Sequence, residues 1–217
     1  MNGDKIMRGK IKNYASKIFT ASLLIFLGVV GRLTFTKFLP SSPAIYLTIN
    51  EMTQPMFMMD LFFIIAIVSI LAGILLKGYY VIFVPLFVMM ITDIIIGNSF
   101  IFVFTWSGFA LIGLIFYALK SKNKLTIQRT PLIFGAGIGS VLLYDLWTNF
   151  GCFLGWYPHT ISGLTLCYTI SIPFTLWHLL STTIAITVIV LPIIYLKEHK
   201  DVKINLSKKQ IEEPISI

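Results

Sequence analysis

A bundle of α-helices that crosses a membrane six times is the fold class that the sequence predicts, and three observations predict it. The mean hydropathy is +0.87 and only 12% of the residues are charged, whereas soluble domains carry about 25% charged residues. Apolar runs recur along the chain, and about 20 residues suffice to cross a hydrocarbon core of roughly 30 Å as a helix. Most Lys and Arg residues stand in alternate segments between these runs. The alternating pattern of a membrane β-barrel is missing.

Windows of about 19 residues place the six spans in order along the chain. The first follows a basic segment, and because no small-residue cleavage site comes after it, we interpret it as a spanning helix and not as a signal peptide. Lys77 separates the second span from the third, and a tight turn at 97–99 separates the third from the fourth. A basic connector precedes the fifth, a longer mixed one follows it, and the sixth leads into a charged tail. The predicted spans are residues 17–35, 57–76, 79–97, 100–119, 131–150 and 172–196.

The distribution of basic residues predicts the orientation of the bundle. Of the 17 Lys and Arg residues, 15 lie in the two tails and in the second and fourth connectors, whereas only Arg32 and Lys37 lie on the opposite side. Because cytoplasmic segments are enriched in Lys and Arg, both tails are predicted to be cytoplasmic, with the protein in the plasma membrane. We therefore interpret residues 17–196 as one transmembrane domain, residues 1–16 as a basic tail and residues 197–217 as a charged, disordered tail.

The external connectors are the long ones, so function is expected on that side. The first, at about 35–57, is expected to fold back onto the bundle. In the last, at about 151–171, Thr160 is expected to N-cap a short helix that lies in the membrane interface. This connector also contains Cys152 and Cys167, for which two free thiols are favoured over a disulfide bridge.

Four ionisable residues in the spans are the candidate functional groups. Asp60, Asp93, Asp145 and His178 come from four different helices, and no Lys or Arg lies deep in any span. Counted at about 1.5 Å per residue from the predicted span ends, all four lie in the external half of the membrane. Ionisable groups in lipid are costly and mark functional sites. Their common level therefore indicates a polar cavity open to the outside.

Aromatic and polar neighbours extend this site. Asn149 follows Asp145 by four residues and shares its helix face. Rings combined with a few convergent polar groups suit a small-molecule pocket. Two acidic groups without a basic partner favour a cationic or amine-bearing solute. The predicted substrate-binding residues are Asp93, Asp145, Asn149, Trp156, Tyr157 and His178.

Each of these residues also has a purely structural interpretation. Asp93 can cap neighbouring helix backbones, and His178 can be a neutral interior histidine. Asp60 is interpreted as a solvated helix end. Trp156 and Tyr157 suit the aromatic belt of a membrane interface. The sequence leaves these alternatives open.

Missing patterns argue against several other classes of function. The sequence contains no HExxH metalloprotease motif, no phosphate-binding glycine loop and no Gly-x-Ser-x-Gly turn, so an enzyme is not expected. The three histidines are too far apart for a helix-borne metal pair, so neither a metal nor a cofactor is expected. The net charge of +8 flanks apolar runs and forms no aromatic-interleaved patch, so nucleic acid is not an expected partner.

A series of motifs resembles those of a known group of membrane proteins. The series comprises Pro85-x7-Asp93-x3-Gly97, Thr148-Asn149-Phe150-Gly151, Trp156-Tyr157-Pro158-x-Thr160, Gly163-Leu164-x2-Cys167-Tyr168 and Ile172-Pro173-Phe174. Over residues 80–185 it resembles a family of six-helix prokaryotic membrane proteins of unknown function. That family is in turn similar to the substrate-binding S components of energy-coupling-factor vitamin transporters.

This resemblance implies a six-helix, S-component-like bundle with cytoplasmic ends, which captures a vitamin or similar small molecule from outside. The external loops and the outer halves of helices 4 to 6 would line its pocket. S components dock on a membrane coupling subunit through an Ala-xxx-Ala pair on helix 1, whereas here Ala15 and Ala21 are six residues apart. A coupling subunit is therefore an open expectation.

The expected function is the binding and uptake of a small organic solute in the outer half of the bundle. The first alternative is a membrane scaffold or assembly subunit without a ligand. The second is an ion or proton path through the carboxylates, which the absence of acidic residues from the inner halves of the spans disfavours.

Overall fold

Six α-helices and one β-hairpin make up the structure, a computed structural model that describes residues 2–39, 45–56, 59–97 and 99–199. The helices are α1 (Asn2–Phe35), α2 (Phe62–Leu75), α3 (Tyr80–Ile96), α4 (Phe102–Lys122), α5 (Thr130–Trp156) and α6 (Ile161–Ala185). A π-helical segment, Ile186–Val190, continues α6, and the helix then runs on to residue 199. Short 3-10 turns at Thr36–Phe38 and Ile127–Arg129 follow α1 and precede α5.

Four of the helical stretches are long and apolar enough to cross a membrane: Tyr14–Phe38, Phe102–Lys122, Ile127–Trp156 and Ile161–His199. The other two helices, α2 and α3, are apolar but shorter. At 14 and 17 residues they measure about 21 Å and 26 Å, less than a hydrocarbon core of roughly 30 Å. The all-α class is confirmed, and these lengths indicate a membrane protein.

Helix α2 is the central element of the bundle. It contacts α1, α3, α4 and α6, and most of its residues are buried. Gly73 allows the closest of these approaches, since a Cβ added there would lie 2.4 Å from the backbone oxygen of Gly113 on α4. A helix enclosed by protein on all sides has no lipid thickness to match, which explains why α2 can be short.

The first long connector contains a β-hairpin that the all-α prediction missed. Strands β1 (Ile45–Ile49) and β2 (Met52–Met56) pair antiparallel. Asn50 and Glu51 form the two-residue turn with positive φ angles of 48° and 67°, as a tight hairpin turn requires. The hairpin packs against α6, where the Asn50 side-chain amide donates to the Ser162 hydroxyl at 3.2 Å. This connector therefore folds back onto the bundle, as expected.

The sixth helix starts eleven residues earlier than predicted. Thr160 does N-cap a helix, because its hydroxyl accepts a hydrogen bond from the Gly163 backbone N–H at 3.1 Å. That helix is α6 itself and not a separate interfacial helix, so this part of the prediction is wrong. Pro173 lies inside α6 without ending it. Proline lacks the N–H that a helix interior uses, but membrane helices tolerate the loss where neighbouring groups compensate.

Helix α5 is also longer than predicted, ending at Trp156 instead of residue 150. The connector between α5 and α6, predicted at 151–171, therefore shrinks to residues 157–160. Cys152 and Cys167 consequently lie on helices, and both are free thiols.

The structure describes most of the predicted N-terminal tail but only a small part of the predicted C-terminal tail. The predicted basic tail at 1–16 lies within α1 almost from its first residue. Of the predicted tail at 197–217, only residues 197–199 are described, as the last residues of the helix that continues α6. The rest of that prediction lies outside the described residues.

Two ends of the bundle are distinguished by their side chains. The hairpin end carries the β-hairpin, the start of α2 and the connection between α5 and α6. The lysine end carries Lys77, Lys120, Lys124 and Lys197.

Candidate functional site

A buried histidine joins three elements near the hairpin end. The Nδ1 atom of His178 on α6 lies 2.6 Å from Oδ1 of Asp145 on α5, and its Nε2 atom lies 2.9 Å from Oδ2 of Asp60 before α2. His178 and Asp145 are 4% and 5% exposed. We call these three residues the charge triad.

The geometry of the charge triad constrains its protons. A neutral imidazole has one N–H donor and one acceptor nitrogen. Because both ring nitrogens of His178 face carboxylate oxygens, either the ring carries two protons or one carboxyl group does. In either case the triad holds the same number of protons and carries a net charge of −1. It is therefore an anionic group held inside the bundle.

Asp60 is positioned by more than its ion pair. Its Oδ1 atom accepts from the Phe62 backbone N–H at 3.0 Å, which caps the first turn of α2. The Trp177 indole N–H donates to its backbone oxygen at 3.2 Å, and the ring of Phe62 stacks on His178 with centroids 4.0 Å apart. The interpretation of Asp60 as a solvated helix end holds in part, since its side chain is 37% exposed at the start of α2, but it also binds His178.

A second cluster, the arginine cluster, surrounds Asp93. Arg32 of α1 donates through Nη1 to Asp93 Oδ1 and to the Thr92 hydroxyl, both at 2.5 Å. The indole N–H of Trp106 on α4 donates to Asp93 Oδ2 at 2.6 Å. Asp93 thus ties α1, α3 and α4 together through the side chains of Arg32 and Trp106, whereas the structural interpretation given above had it bind helix backbones.

Arg32 changes the charge argument made from the sequence. The sequence analysis counted it only among the basic residues that set the orientation, and treated the acidic groups as lacking a basic partner. Helix α1 ends at Phe35, where the predicted first span also ends. Within it Arg32 pairs with Asp93, while His178 binds both Asp145 and Asp60. The argument for a cationic solute therefore loses its premise.

A cavity of about 270 Å³, which we call the chamber, lies between the two clusters. Arg32 lines it from the arginine cluster and Asp60 from the charge triad, so opposite charges face the same space. The other lining residues are Thr36, Leu39, Leu61, Phe62, Ile65, Met89, Ile96, Thr105, Phe109 and Tyr144. The wall is therefore mostly apolar and aromatic with a few polar groups, as small-molecule sites are.

Tyr144 is a further polar group of the chamber, besides Arg32, Asp60 and two threonines. Its ring packs between Phe62 and Phe109, with centroids 4.7 Å and 4.6 Å away. Its hydroxyl forms no hydrogen bond within the described part of the chain, and the residue is only 7% exposed. The hydroxyl is not fully enclosed, since the fully buried side-chain atoms without a partner among the described residues are Asp145 Oδ2 and Thr182 Oγ1. It lines the chamber and can bind a molecule there, water included.

A second, shallower cavity, the side groove, opens between α5 and α6. It also measures about 270 Å³ and is lined by Asp145 and Asn149 together with Tyr168, Ser171 and Thr175. Asp145 Oδ2 is buried and has no hydrogen-bond partner among the described residues. The shared face of Asp145 and Asn149 is thus observed, but it belongs to a different cavity from Asp60.

The predicted site residues fall into three places. Asp145 and His178 meet in the charge triad, Asn149 lies beside them in the side groove, and Asp93 belongs to the arginine cluster. Trp156 lies eleven residues beyond Asp145 on the same helix, about 16 Å along its axis, and stacks edge-on with Phe100. Tyr157 follows as the C-cap of α5. That any of these residues contacts a ligand stays a prediction.

Sequence reasoning missed Arg32, Trp106 and Tyr144. One signal was present for Arg32, because it is the only basic residue between Lys17 and Lys37, in a helix that also supplies small residues for packing. Tyr144 precedes Asp145 directly, but nothing in the local pattern separates it from other buried aromatic residues.

The described residues contain no candidate metal site. Within residues 2–39, 45–56, 59–97 and 99–199, no group of three His, Cys, Asp or Glu side chains is arranged to hold a metal ion. In the charge triad both imidazole nitrogens already bind carboxylates.

Comparisons with known proteins return one match. A family model described as "Family of unknown function (DUF6580)" matches residues 12–203. Both clusters and both cavities lie inside that range. No curated protein and no solved structure matches the chain.

Proposed function

The chain belongs to this family of unknown function, and from that premise we propose that it is a solute-binding membrane protein. In this proposal all six helices form the transmembrane bundle of a plasma-membrane protein, with both termini in the cytoplasm. A small organic solute, of the size of a vitamin or its precursor, enters from the hairpin end and is bound for uptake. The protein performs no chemistry on it.

The observation that carries the proposal is the pair of opposite charges on the wall of the chamber. Arg32 uses Nη1 to bind Asp93 and Thr92, while its Nε and Nη2 atoms have no partner among the described residues. Asp60 stands on the other wall, with a side chain that is 37% exposed. These two groups match a solute that carries both a negative and a positive or donating group, such as a zwitterion.

The size of the chamber supports a small ligand. Pockets for drug-sized molecules measure about 300–1,000 Å³, and the chamber, at about 270 Å³, falls just below that range. Phe62, Phe109 and Tyr144 supply flat apolar surfaces on which a ring or short chain can pack. The Tyr144 hydroxyl adds a directional hydrogen bond that the protein itself does not use.

The S-component resemblance is consistent with this proposal, because those proteins capture small molecules from the external side. The coupling subunit is a separate matter. Helix α1 offers no Ala-xxx-Ala pair, so a shared energising module forms no part of the proposal.

A scaffold without a ligand is the second candidate, and one observation favours it. Asp93, Asp145 and His178 are all paired within the bundle, which is what a purely structural role for these groups requires. In a scaffold, water fills the chamber and binds the unpartnered hydroxyl of Tyr144, whereas in the solute-binding proposal the solute binds it.

Small-molecule mass spectrometry of gently extracted protein tests the proposal. We expect a zwitterionic or otherwise polar solute to copurify, and adding it back to stripped protein to raise the thermal unfolding temperature. Tyr144→Phe removes only the unpartnered hydroxyl and should weaken binding by about tenfold while leaving the fold intact.

Tyr168→Phe is the matched control, since the Tyr168 hydroxyl donates to the Leu146 backbone oxygen outside the chamber. It should leave binding unchanged. No copurifying solute and no thermal shift across a panel of polar metabolites would instead support the scaffold.

A further inference from the structure

A cavity of about 480 Å³, which we call the lysine pocket, lies at the lysine end of the bundle. Segments that are far apart in the sequence build it: the end of α2, the turn after it, the end of α4, the connector before α5 and the end of the helix that continues α6. The lining residues are Ile74, Leu75, Lys77, Tyr117, Lys120, Ser121, Asn123, Lys124, Leu125, Ile194, Lys197 and Glu198. None of them lines the chamber or the side groove.

The lysine pocket has a strong excess of positive charge. Four lysine ammonium groups face one carboxylate, that of Glu198. Glu198 is already engaged, because its Oε2 atom accepts from the Ile127 backbone N–H at 3.2 Å. No lysine forms an ion pair with it or with another carboxylate in the part of the chain that the structure describes.

The four lysines are not equivalent. Lys120 is half-buried and donates to the backbone oxygens of Ile74 and Leu76 at 2.9 Å and 2.5 Å, which satisfies the last carbonyl groups of α2. Lys77, Lys124 and Lys197 form no hydrogen bond within the described residues and are exposed. Lys120 is therefore a structural residue, and the other three are free to bind an anion.

Bringing four like charges around one cavity costs free energy unless an anion occupies it. A general excess of lysine on one side of a membrane protein requires only that they flank the spans. This general rule does not require that lysines from the second connector, the fourth connector and the C-terminal helix line the same cavity. The convergence thus calls for an anionic occupant.

We propose that the lysine pocket binds a phosphate-bearing anion, either the headgroup of an anionic phospholipid or a free phosphate. Several ammonium groups match the oxygens of a phosphate group. The pocket lies where the helices leave the apolar core, and Ile74, Leu125 and Ile194 on its wall offer apolar contact to the parts of a lipid next to its headgroup. Basic pockets between membrane helices bind anionic lipid headgroups in this way. This proposal does not depend on the function of the chamber.

The test uses the full chain in detergent and a pair of double variants that each remove two positive charges. Lys77→Gln/Lys197→Gln alters two exposed lysines of the pocket and spares Lys120, so the end of α2 stays capped. Lys17→Gln/Lys122→Gln is the matched control, because neither residue lines the pocket.

Two arms identify the source of the phosphate group. In the first, thermal unfolding and native mass spectrometry compare phosphatidylglycerol with phosphatidylcholine. In the second, inorganic phosphate is compared with chloride at equal ionic strength, without added lipid.

If the pocket binds a lipid headgroup, phosphatidylglycerol stabilises the wild type and the control variant, and its affinity falls by about tenfold or more in Lys77→Gln/Lys197→Gln. If it binds a free phosphate, the same pattern appears in the second arm alone. Equal responses of both double variants in both arms, or no response of the wild type, overturn the proposal. The melting temperature of each variant without any anion shows that both are folded.

Discussion

Asp60 and Asp145, which are 85 residues apart in the chain, bind opposite nitrogens of the same imidazole ring, that of His178. This arrangement joins the start of α2 to the middle of α5 and α6. It also separates two cavities, because Asp60 lines the chamber and Asp145 lines the side groove. His178 is therefore the residue on which the packing of three elements depends.

Replacing this residue by His178→Ala leaves two carboxylates without their shared partner. Removing one member of a buried ion pair costs about 3–5 kcal/mol, and we expect the lower figure because Asp60 is partly exposed. For a chain of this size, about 3 kcal/mol corresponds to a fall in melting temperature of roughly 6–12 °C. The exposed His159 is the control, and His159→Ala should change the stability by less than about 0.5 kcal/mol. Equal melting temperatures for the two variants would argue against the charge triad.

Arg32 and Asp93 should be energetically coupled. In a double-mutant cycle with Arg32→Gln and Asp93→Asn, we expect a coupling free energy of about 1–3 kcal/mol, as for residues in direct contact. The cycle is measured by thermal unfolding of the four proteins. Lys37→Gln combined with Asp93→Asn is the control cycle and should be additive within about 0.5 kcal/mol. Additivity in both cycles would mean that the ion pair does not form.

The close approach of α2 and α4 predicts opposite effects for two glycines. Gly73→Ala places a methyl group 2.4 Å from the backbone oxygen of Gly113, so the helices must separate, at a cost of about 3 kcal/mol. Gly135→Ala meets nothing within 4 Å and should stabilise the helix by about 0.4–1 kcal/mol. Melting temperatures of the two variants give the comparison, and a neutral Gly73→Ala would contradict the packing of α2 against α4.

The position of the hairpin is tested by cross-linking. In a background with Cys152→Ser and Cys167→Ser, we expect Asn50→Cys and Ser162→Cys to be joined by a short thiol-reactive cross-linker, since their side chains are in hydrogen-bond contact. Ile45→Cys with Ser162→Cys is the control, because Ile45 lies five residues along the strand from Asn50, or about 17 Å. Peptide mass spectrometry detects the linked pair. Equal cross-linking of both pairs would show that the hairpin does not pack against α6 at a fixed position.

The helices were the most predictable part of the fold because lipid-length apolar runs leave few alternatives for the backbone. Their ends were less so. The sixth span was predicted to start at residue 172, next to Pro173, but this proline lies inside α6, which begins after the Thr160 cap. The turn between β1 and β2 carries Asn50 at its first position, which is a hairpin signal, but Glu51 beside it is an unusual partner. A search for apolar runs of about 20 residues cannot detect a hairpin whose two strands have five residues each.

The candidate site was only partly predictable for a similar reason. Counting residues from the predicted span ends placed Asp145 and His178 at a similar level, and so their proximity was foreseeable. Such counting gave neither the rotation of α1 that brings Arg32 to Asp93 nor the path of the connector that brings Asp60 to His178. These contacts depend on how helices are turned against each other, and a single sequence carries no direct signal for that.

Helix α2 stands between the chamber and the lysine pocket. Phe62 and Ile65 near its start line the first, and Ile74 and Leu75 at its end line the second, so about 14 Å of helix, from Ile65 to Ile74, separates the two spaces. The two spaces therefore share α2 as a common wall, and a substitution that shifts this helix is expected to change the shape of both.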